Sequence, residues 1–483
     1  MTLIKSISGI RGTIGGNPGD ALTPVDIVKF VYAYSARLKT QAPKAEKYKV
    51  VVGRDARLSG EMVEQLVCGT LVACGIDVIK AGLASTPTTE LAVRFSNADG
   101  GIILTASHNP RQWNALKLLN DQGEFLTAEQ GEAILRLAES DDFQFADVDG
   151  IGHITEHDFT REHIQSVLDL EAVNVEAVRK AGFKVVVDAV NSVGGIIMPA
   201  MLEALGVEVV KLNCEPTGQF AHNPEPLPAN LVDLRKAVVE NKADLGVSVD
   251  PDVDRLAFIC EDGEPFVEEY TLVSVADYLF RRARRIADAK GITLEEATAP
   301  YKPVACSNLS SSRALRDVAE SYGGKYLSSA VGEVNVTTLM HKCDALIGGE
   351  GNGGVIYPAS HYGRDAMTGV ALFLSSLADR KLTTSALKKT FPAYFIAKNK
   401  IELSDKALID KILSELKNIY AKEEINDIDG VKIIFEAKKQ WVHLRRSNTE
   451  PIIRIYSEAG TMEEAEALGN EVIKVAQTII NNK

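Results

Sequence analysis

Apolar and polar positions along the chain repeat one order three times. An apolar run beginning at Lys49 (KVVVG) meets a polar turn (RDARLSG), a stretch with helical spacing, and a second run ending at Gly82 (CGIDVIKAG). The order returns from Lys184 (KVVVDAVNSVGG, then LGVEVVKL). It returns more weakly from Lys302 (KPVACSNLSSS, RALRDVAESYGG, KYLSS). Strand-length apolar runs alternating with helical patterns predict βαβ units. Parallel strands require such crossovers. The three copies therefore predict three related α/β domains with mostly parallel, mixed sheets, read as a triplication.

Each copy is followed by another apolar run that ends in a polar loop. These read GGIILTASHNP (Gly100–Pro110), ADLGVSVDPDVDR (Ala243–Arg255) and CDALIGGEGNGG (Cys343–Gly354). Ligands bind beyond the carboxyl ends of parallel strands, so the three loops are expected to line a central cleft. From about Phe391 the pattern changes to strand-like runs (YFIAKNKIEL, VKIIFEA, WVHLRR, IIRIYSEA), with one helix near 405–421 and a last one near 462–481. That pattern predicts a smaller C-terminal α+β domain with an antiparallel sheet. The boundaries read as 1–155, 156–258, 259–380 and 390–483.

At 483 residues the chain is long enough for several cores, taking roughly 150 residues per domain. The excess of 66 acidic over 53 basic residues gives a net charge of −13, which argues against broad binding to nucleic acid or anionic membranes. It leaves room for a local basic pocket. The six cysteines form no CxxC or CxxH pair and read as reduced core residues, so a cysteine zinc site is not expected. No signal-peptide order or transmembrane run is visible, and a cytoplasmic protein is expected.

The loops carry the candidate chemistry. TASHNP offers Ser107 as a nucleophile with His108 beside it, or a Ser/Asn turn closed by Pro110; the GxSxG elbow of hydrolases is absent. In DPDVDR, Asp250, Asp252 and Asp254 alternate, and an extended backbone would point them to one side. Three such carboxylates repel unless a cation sits among them, and oxygen-only ligands suit Mg²⁺, Mn²⁺ or Ca²⁺. An EF-hand is disfavoured because Arg255 stands where its loop needs glycine and LAFIC reads as a buried strand. GGEGNGG permits close backbone approach and offers Glu350 and Asn352 to hydroxyls, or is a flexible turn. RRSNTEPIIR joins arginine forks to hydroxyl and amide donors, a match for a phosphate monoester. Together these loops point to phosphoryl transfer on a polar phosphorylated substrate. No Walker A sequence is present.

The motifs SGIRG, TASHNP, DPDVDR, GEGNGG and RRSNTEP, in this order over essentially the whole chain, resemble the α-D-phosphohexomutase superfamily of phosphoglucomutases, phosphomannomutases and phosphoglucosamine mutases. The resemblance implies four domains around a cleft. It implies that Ser107 carries a phosphoryl group, that Asp250, Asp252 and Asp254 hold Mg²⁺ with a phosphoserine oxygen, and that a hexose 1,6-bisphosphate is the intermediate and activator. Arg11, His108, Lys117 and Arg255 are then the groups around the transferring phosphoryl, with Lys117 a candidate base if neighbouring charge lowers its pKa. Glu350 and Asn352 fall in the sugar-hydroxyl loop. Arg445, Ser447, Asn448, Thr449 and Arg454 fall in the phosphate grip. Glu333, in SAVGEVNV, stands where relatives carry His or Asp, and a carboxylate there suits a substrate ammonium group. The implied reaction moves phosphate between O6 and O1 of a hexose, with glucosamine phosphate the favoured substrate and glucose or mannose phosphate the alternative. The expected partner is a small sugar phosphate, and either a monomer or a homodimer is compatible.

Overall fold

The computed structural model describes residues 2–6, 9–41, 43–44, 46–140, 142–402, 407–446 and 452–481. Its strands, in chain order, begin with β1 (Ile4–Ser6), β2 (Gly9–Thr13), β3 (Lys49–Arg54), β4 (Asp77–Leu83), β5 (Gly100–Leu104), β6 (Trp113–Leu119) and β7 (Ile154–Glu156). Next come β8 (Lys184–Asp188), β9 (Glu208–Leu212), β10 (Leu245–Val249) and β11 (Leu256–Cys260), then β12 (Lys302–Asn308), β13 (Lys325–Ser329), β14 (Ala345–Glu350) and β15 (Gly354–Ile356). The last five are β16 (Phe395–Glu402), β17 (Glu424–Asn426), β18 (Val431–Phe435), β19 (Gln440–Arg446) and β20 (Ile452–Ala459).

The repeat is real in three dimensions. In each copy the first strand lies between the other two, all parallel: β5-β3-β4, β10-β8-β9 and β14-β12-β13. The crossover helices are Gly60–Ala73, Gly194–Ala204 and Ala314–Ser321. The strands β5, β10 and β14, which lead into the polar loops, are buried along their whole length, as strands covered on both faces must be. An antiparallel strand follows β5 and β10, namely β6 and β11, which makes these sheets mixed. Along β3, Val50 and Val52 enter one apolar cluster with Phe30, Leu71 and Ile102, while Val51 enters another with Val93, Ile103 and Leu119. That two-residue alternation is the pleat of a strand buried on both faces.

The chain divides into two compact units, Met1–Thr271 with Gly354–Ser385, and Leu272–Gly353 with Ala386–Lys483. The first contains the seven-stranded sheet β1-β2-β6-β5-β3-β4-β7 and the four-stranded sheet β11-β10-β8-β9. The second contains β13-β12-β14 and the antiparallel sheet β16-β20-β19-β18-β17. One face of that last sheet packs Ile433, Leu444 and Ile455 against Ile412 and Leu416 of helix Ala407–Ile419 and Val472 and Ala476 of helix Met462–Asn481. Among the described residues, no helix is long and apolar enough to cross a membrane.

Candidate active site

In the first unit, β5 ends at Leu104 and the chain turns sharply through TASHNP. Ser107 has φ of 48°, a left-handed conformation few non-glycine residues adopt. Its carbonyl and those of Asn109, Pro110 and Trp113 all accept hydrogen bonds from the buried guanidinium of Arg57. Asp55 balances that charge at 3.0 Å and accepts a second bond from Thr105 Oγ1 (2.6 Å), which in turn accepts the Ser107 N–H (2.9 Å). The loop is thus gripped from beneath while the Ser107 side chain faces away. Its Oγ donates to Asp250 Oδ2 at 2.6 Å and lies 3.5 Å from His108 Nδ1.

Asp250, Asp252 and Asp254 are fully buried at the end of β10, with one carboxylate oxygen from each inside a 4.8 Å cluster. They converge for a reason other than the extended alternation expected from the sequence. Residues 250–255 form a tight turn into antiparallel β11, with Val253 left-handed (φ 63°) and the Asp250 carboxylate accepting the Arg255 N–H. Glu261, the would-be last EF-hand ligand, instead accepts hydrogen bonds from Ser385. The donor set suits a hard divalent cation. Asp252 Oδ1 and Asp254 Oδ1 are buried without a hydrogen bond, and burial plus repulsion from its two neighbours pushes Asp250 well above the carboxylate range. Such a cluster is relieved by an ion bound through oxygen alone.

Cations surround the cluster. Lys117, on β6, donates to Asp252 at 2.7 Å and lies 3.5 Å from Asp254. Arg255 lies 4.0 Å from both Asp250 and Asp254 and pairs with Glu225 at 3.2 Å. Arg11, across the β2–β6 ladder from Ala115 and on the face of Lys117, donates to Asn109 at 3.2 Å. The condition set for Lys117 as a base is reversed: burial would lower its pKa, but the two aspartates outweigh that and hold it above its ordinary value. His108 goes the other way. Burial, reinforced by Arg255, pushes it down to about 2, so its imidazole is neutral. Three groups here escaped sequence reasoning: Arg57, Thr86, which donates to Asp252 Oδ2 (2.6 Å), and Arg364, which donates to Asp254 Oδ2 (2.6 Å). The turn RDARLSG after β3 was a visible signal for the first.

In the second unit, Glu350 at the end of β14 accepts from Asn308 Nδ2 (2.8 Å) and from the Gly332 N–H (3.2 Å), and its other oxygen is 3.4 Å from Asn352 Nδ2. Glu333 follows Gly332 directly. It is buried and opens helix Glu333–Cys343, rather than sitting in a loop. Arg445 and Arg454 face each other across β19–β20, and the Arg445 Nε is buried without a hydrogen bond. Two like charges directly opposite are unfavourable unless an anion joins them. Arg446 is exposed and pairs with Asp410. Ser447, Asn448 and Thr449 lie outside the described residues.

Comparison with known proteins matches four successive families along the chain. They are the phosphoglucomutase/phosphomannomutase alpha/beta/alpha domains I (residues 3–145), II (161–263) and III (276–394), and the C-terminal domain (400–475). The chain belongs to the phosphoglucomutase/phosphomannomutase family. It is an intramolecular phosphotransferase of the isomerase class. A phosphoglucomutase/phosphomannomutase of Thermococcus kodakarensis is 37% identical over 461 residues, spanning 94% of this chain and 95% of the relative. A phosphoglucosamine/phosphogalactosamine mutase of Sulfurisphaera tokodaii is 30% identical over 486 residues, spanning 99% and 100%. In fold, the crystal structure of a phosphoglucomutase/phosphomannomutase family protein from Burkholderia thailandensis superposes with a TM-score of 0.80 at 24% identity, covering 99% of this chain and 98% of that one.

Proposed function

We propose that the chain is a phosphoglucosamine mutase, interconverting glucosamine 6-phosphate and glucosamine 1-phosphate through a phosphoserine at Ser107 and a glucosamine 1,6-bisphosphate. The observation that carries the reaction is the 2.6 Å bond from Ser107 Oγ to the buried Asp250, Asp252 and Asp254 cluster. In the first half-reaction the bond from phosphorus to Ser107 Oγ breaks and a bond from phosphorus to a sugar hydroxyl oxygen forms. The hydroxyl proton passes to a general base, a role His108 takes on once the negative charge of a bound phosphoryl group offsets the burial and the Arg255 charge that depress its basicity. In the second half-reaction the bisphosphate returns its other phosphoryl group to Ser107.

Asp250, Asp252 and Asp254 would hold Mg²⁺, which supplies neutralisation of phosphoryl charge when bound. Arg11, Lys117 and Arg255 orient the same group by charge. Arg445 and Arg454, with Ser447, Asn448 and Thr449, grip the phosphate that is not reacting, which fixes the reacting end. Glu350 and Asn352 accept sugar hydroxyls. We take 1–155, 156–258, 259–380 and 390–483 as the working domain boundaries.

The sugar is assigned on Glu333, a buried carboxylate one residue from the amide that bonds Glu350, since an ammonium group suits that pair. The name of the Sulfurisphaera relative supports the same reading. The 37% identity to a phosphoglucomutase/phosphomannomutase favours glucose or mannose phosphate as the second reading. The deciding assay compares kcat/KM for the 1-phosphates of glucosamine, glucose and mannose, with Mg²⁺ and a trace of each bisphosphate. A preference for glucosamine 1-phosphate that Glu333→Gln removes supports the assignment. A preference for glucose or mannose phosphate refutes the sugar and leaves the mechanism standing.

A further inference from the structure

The second unit holds two of the six cysteines, Cys306 and Cys343, and their sulfurs touch at 3.6 Å. Both thiols are free. The other four, Cys68, Cys74, Cys214 and Cys260, lie in the first unit. Cys306 is wholly buried in the middle of β12, whereas Cys343, the last residue of helix Glu333–Cys343, is half-buried. Sulfurs in van der Waals contact need only a further approach of about 1.5 Å to reach bonding distance. A side-chain rotation at the helix end supplies such a shift.

We propose that Cys306 and Cys343 are an oxidation site that takes a small-molecule disulfide as co-reactant and closes to an intramolecular disulfide. The more accessible Cys343 loses its proton and attacks one sulfur of the reagent disulfide. That disulfide bond breaks, one thiolate leaves, and a mixed disulfide forms. The Cys306 thiol then gives up its proton and attacks Cys343 Sγ, expelling the second thiolate. The two protein thiols are oxidised and one reagent disulfide is reduced to two thiols, so electrons and protons balance. Burial and the neighbouring sulfur push the Cys306 thiol up, so the first attack falls to Cys343, and the part of that shift due to the Cys343 sulfur is relieved once Cys343 is held in the mixed disulfide.

The placement gives the bond a structural consequence. Cys306 shares β12 with Asn308, which bonds Glu350, and the helix ended by Cys343 starts beside Gly332, which bonds the same Glu350 oxygen. A bridge at the far end of that helix would fasten the frame behind Glu350 and Glu333. It would also close a loop between residues 37 positions apart, long enough to restrict the unfolded chain appreciably.

The test uses the full chain, fully reduced, freed of reductant, and incubated with oxidised glutathione. The expected result is loss of two titratable thiols, a Cys306–Cys343 linked peptide in a non-reducing digest, and a rise in Tm of about 5 °C. Cys343→Ser and Cys343→Ala should each abolish the linked peptide and give the same Tm before and after treatment. Glutathione retained on Cys343 without ring closure would overturn the proposal. So would linkage through other cysteines in equal yield, or a linked protein melting no higher than the reduced one.

Discussion

Arg57→Met tests whether the Ser107 loop is held from beneath as the structure implies. The arginine is 2% exposed and gives one hydrogen bond to Asp55, two to Pro110 and Trp113, and two to Ser107 and Asn109. Methionine fills much of the volume but donates nothing. Four loop carbonyls lose their donors, and Asp55, fully buried, loses its counter-charge. Breaking a buried pair by removing one partner costs about 3–5 kcal/mol. Burial already holds Asp55 above the usual carboxylate range in spite of Arg57, so in the variant it protonates more readily. A carboxyl raised in the folded state binds more protons there than in the unfolded chain. The loss of stability should therefore be larger at pH 8 than at pH 5. A released loop also misplaces Ser107 Oγ, and a displacement of about 1 Å lowers kcat about a hundredfold. KM for the sugar phosphate should change little, because Arg57 faces the loop backbone. The assay combines urea unfolding at both pH values with kcat, KM and the mass of phosphorylated Ser107 after incubation with bisphosphate. Adding Asp55→Leu removes the unpaired charge, so it should recover stability without recovering kcat. A folded Arg57→Met enzyme with wild-type kcat and full Ser107 loading would refute the reasoning.

Further outcomes follow from the same geometry. Ser107→Ala should reduce turnover to background while Tm shifts by about 2 °C or less; a phosphorylated variant in intact-mass analysis would move the carrier role to another residue. Asp252→Asn should raise the half-activating Mg²⁺ concentration about tenfold or more, and an unchanged Mg²⁺ titration would detach the cluster from the reaction. Mn²⁺, followed by electron paramagnetic resonance, should bind the phosphorylated enzyme more tightly than the dephosphorylated one; equal affinities would refute a charge coupling between cation and phosphoryl group. Burial holds His361 and His443 at about 4 in the folded chain, below the ordinary 6.5. The unfolded chain therefore takes up protons first. The stability each contributes is complete above pH 6.5 and is lost as pH falls toward 4, by up to about 3 kcal/mol per histidine. Urea midpoints at pH 7.5, 6 and 5 check this, and replacing either histidine by Gln should flatten the slope.

What was legible in the sequence is what short-range pattern encodes. The apolar run, turn and helical stretch at Lys49, Lys184 and Lys302 each became a parallel strand, crossover and parallel strand, because length and periodicity decide those locally. TASHNP and DPDVDR stood out because polar residues directly after a buried strand are costly without a purpose. The geometry within DPDVDR was not legible. Nothing in the spacing announced that Val253 would turn left-handed and fold the three aspartates together. Nor was the partnership of Arg57 with residues 107–113, or of Arg364 with Asp254, since both depend on which strands become neighbours. The pKa of Lys117 went against expectation for the same reason. Its neighbours proved to be two carboxylates, and they favour the ammonium form.

The charges around Ser107 explain why cation and phosphoryl group should bind together. Asp250, Asp252 and Asp254 bring three negative charges when ionised, and Lys117, Arg255 and Arg364 bring three positive charges within 4.0 Å of them. Arg11 and Glu225, the partner of Arg255, add one charge of each sign, so the formal sum is zero in a region where the aspartates are fully buried and charge is poorly screened. A divalent cation alone would leave a surplus of positive charge, and a phosphoryl dianion on Ser107 alone would leave a surplus of negative charge. Both together return the sum to zero. Each must then raise the affinity of the site for the other, by the same factor in either direction. The carboxyl most sensitive to that balance is Asp250, which burial and its two acidic neighbours push up. That carboxyl is also the one bonded to Ser107 Oγ. The group that would carry the phosphoryl is therefore in contact with the group whose charge responds to it, and the coupling follows from the turn that places Asp250 beside the serine.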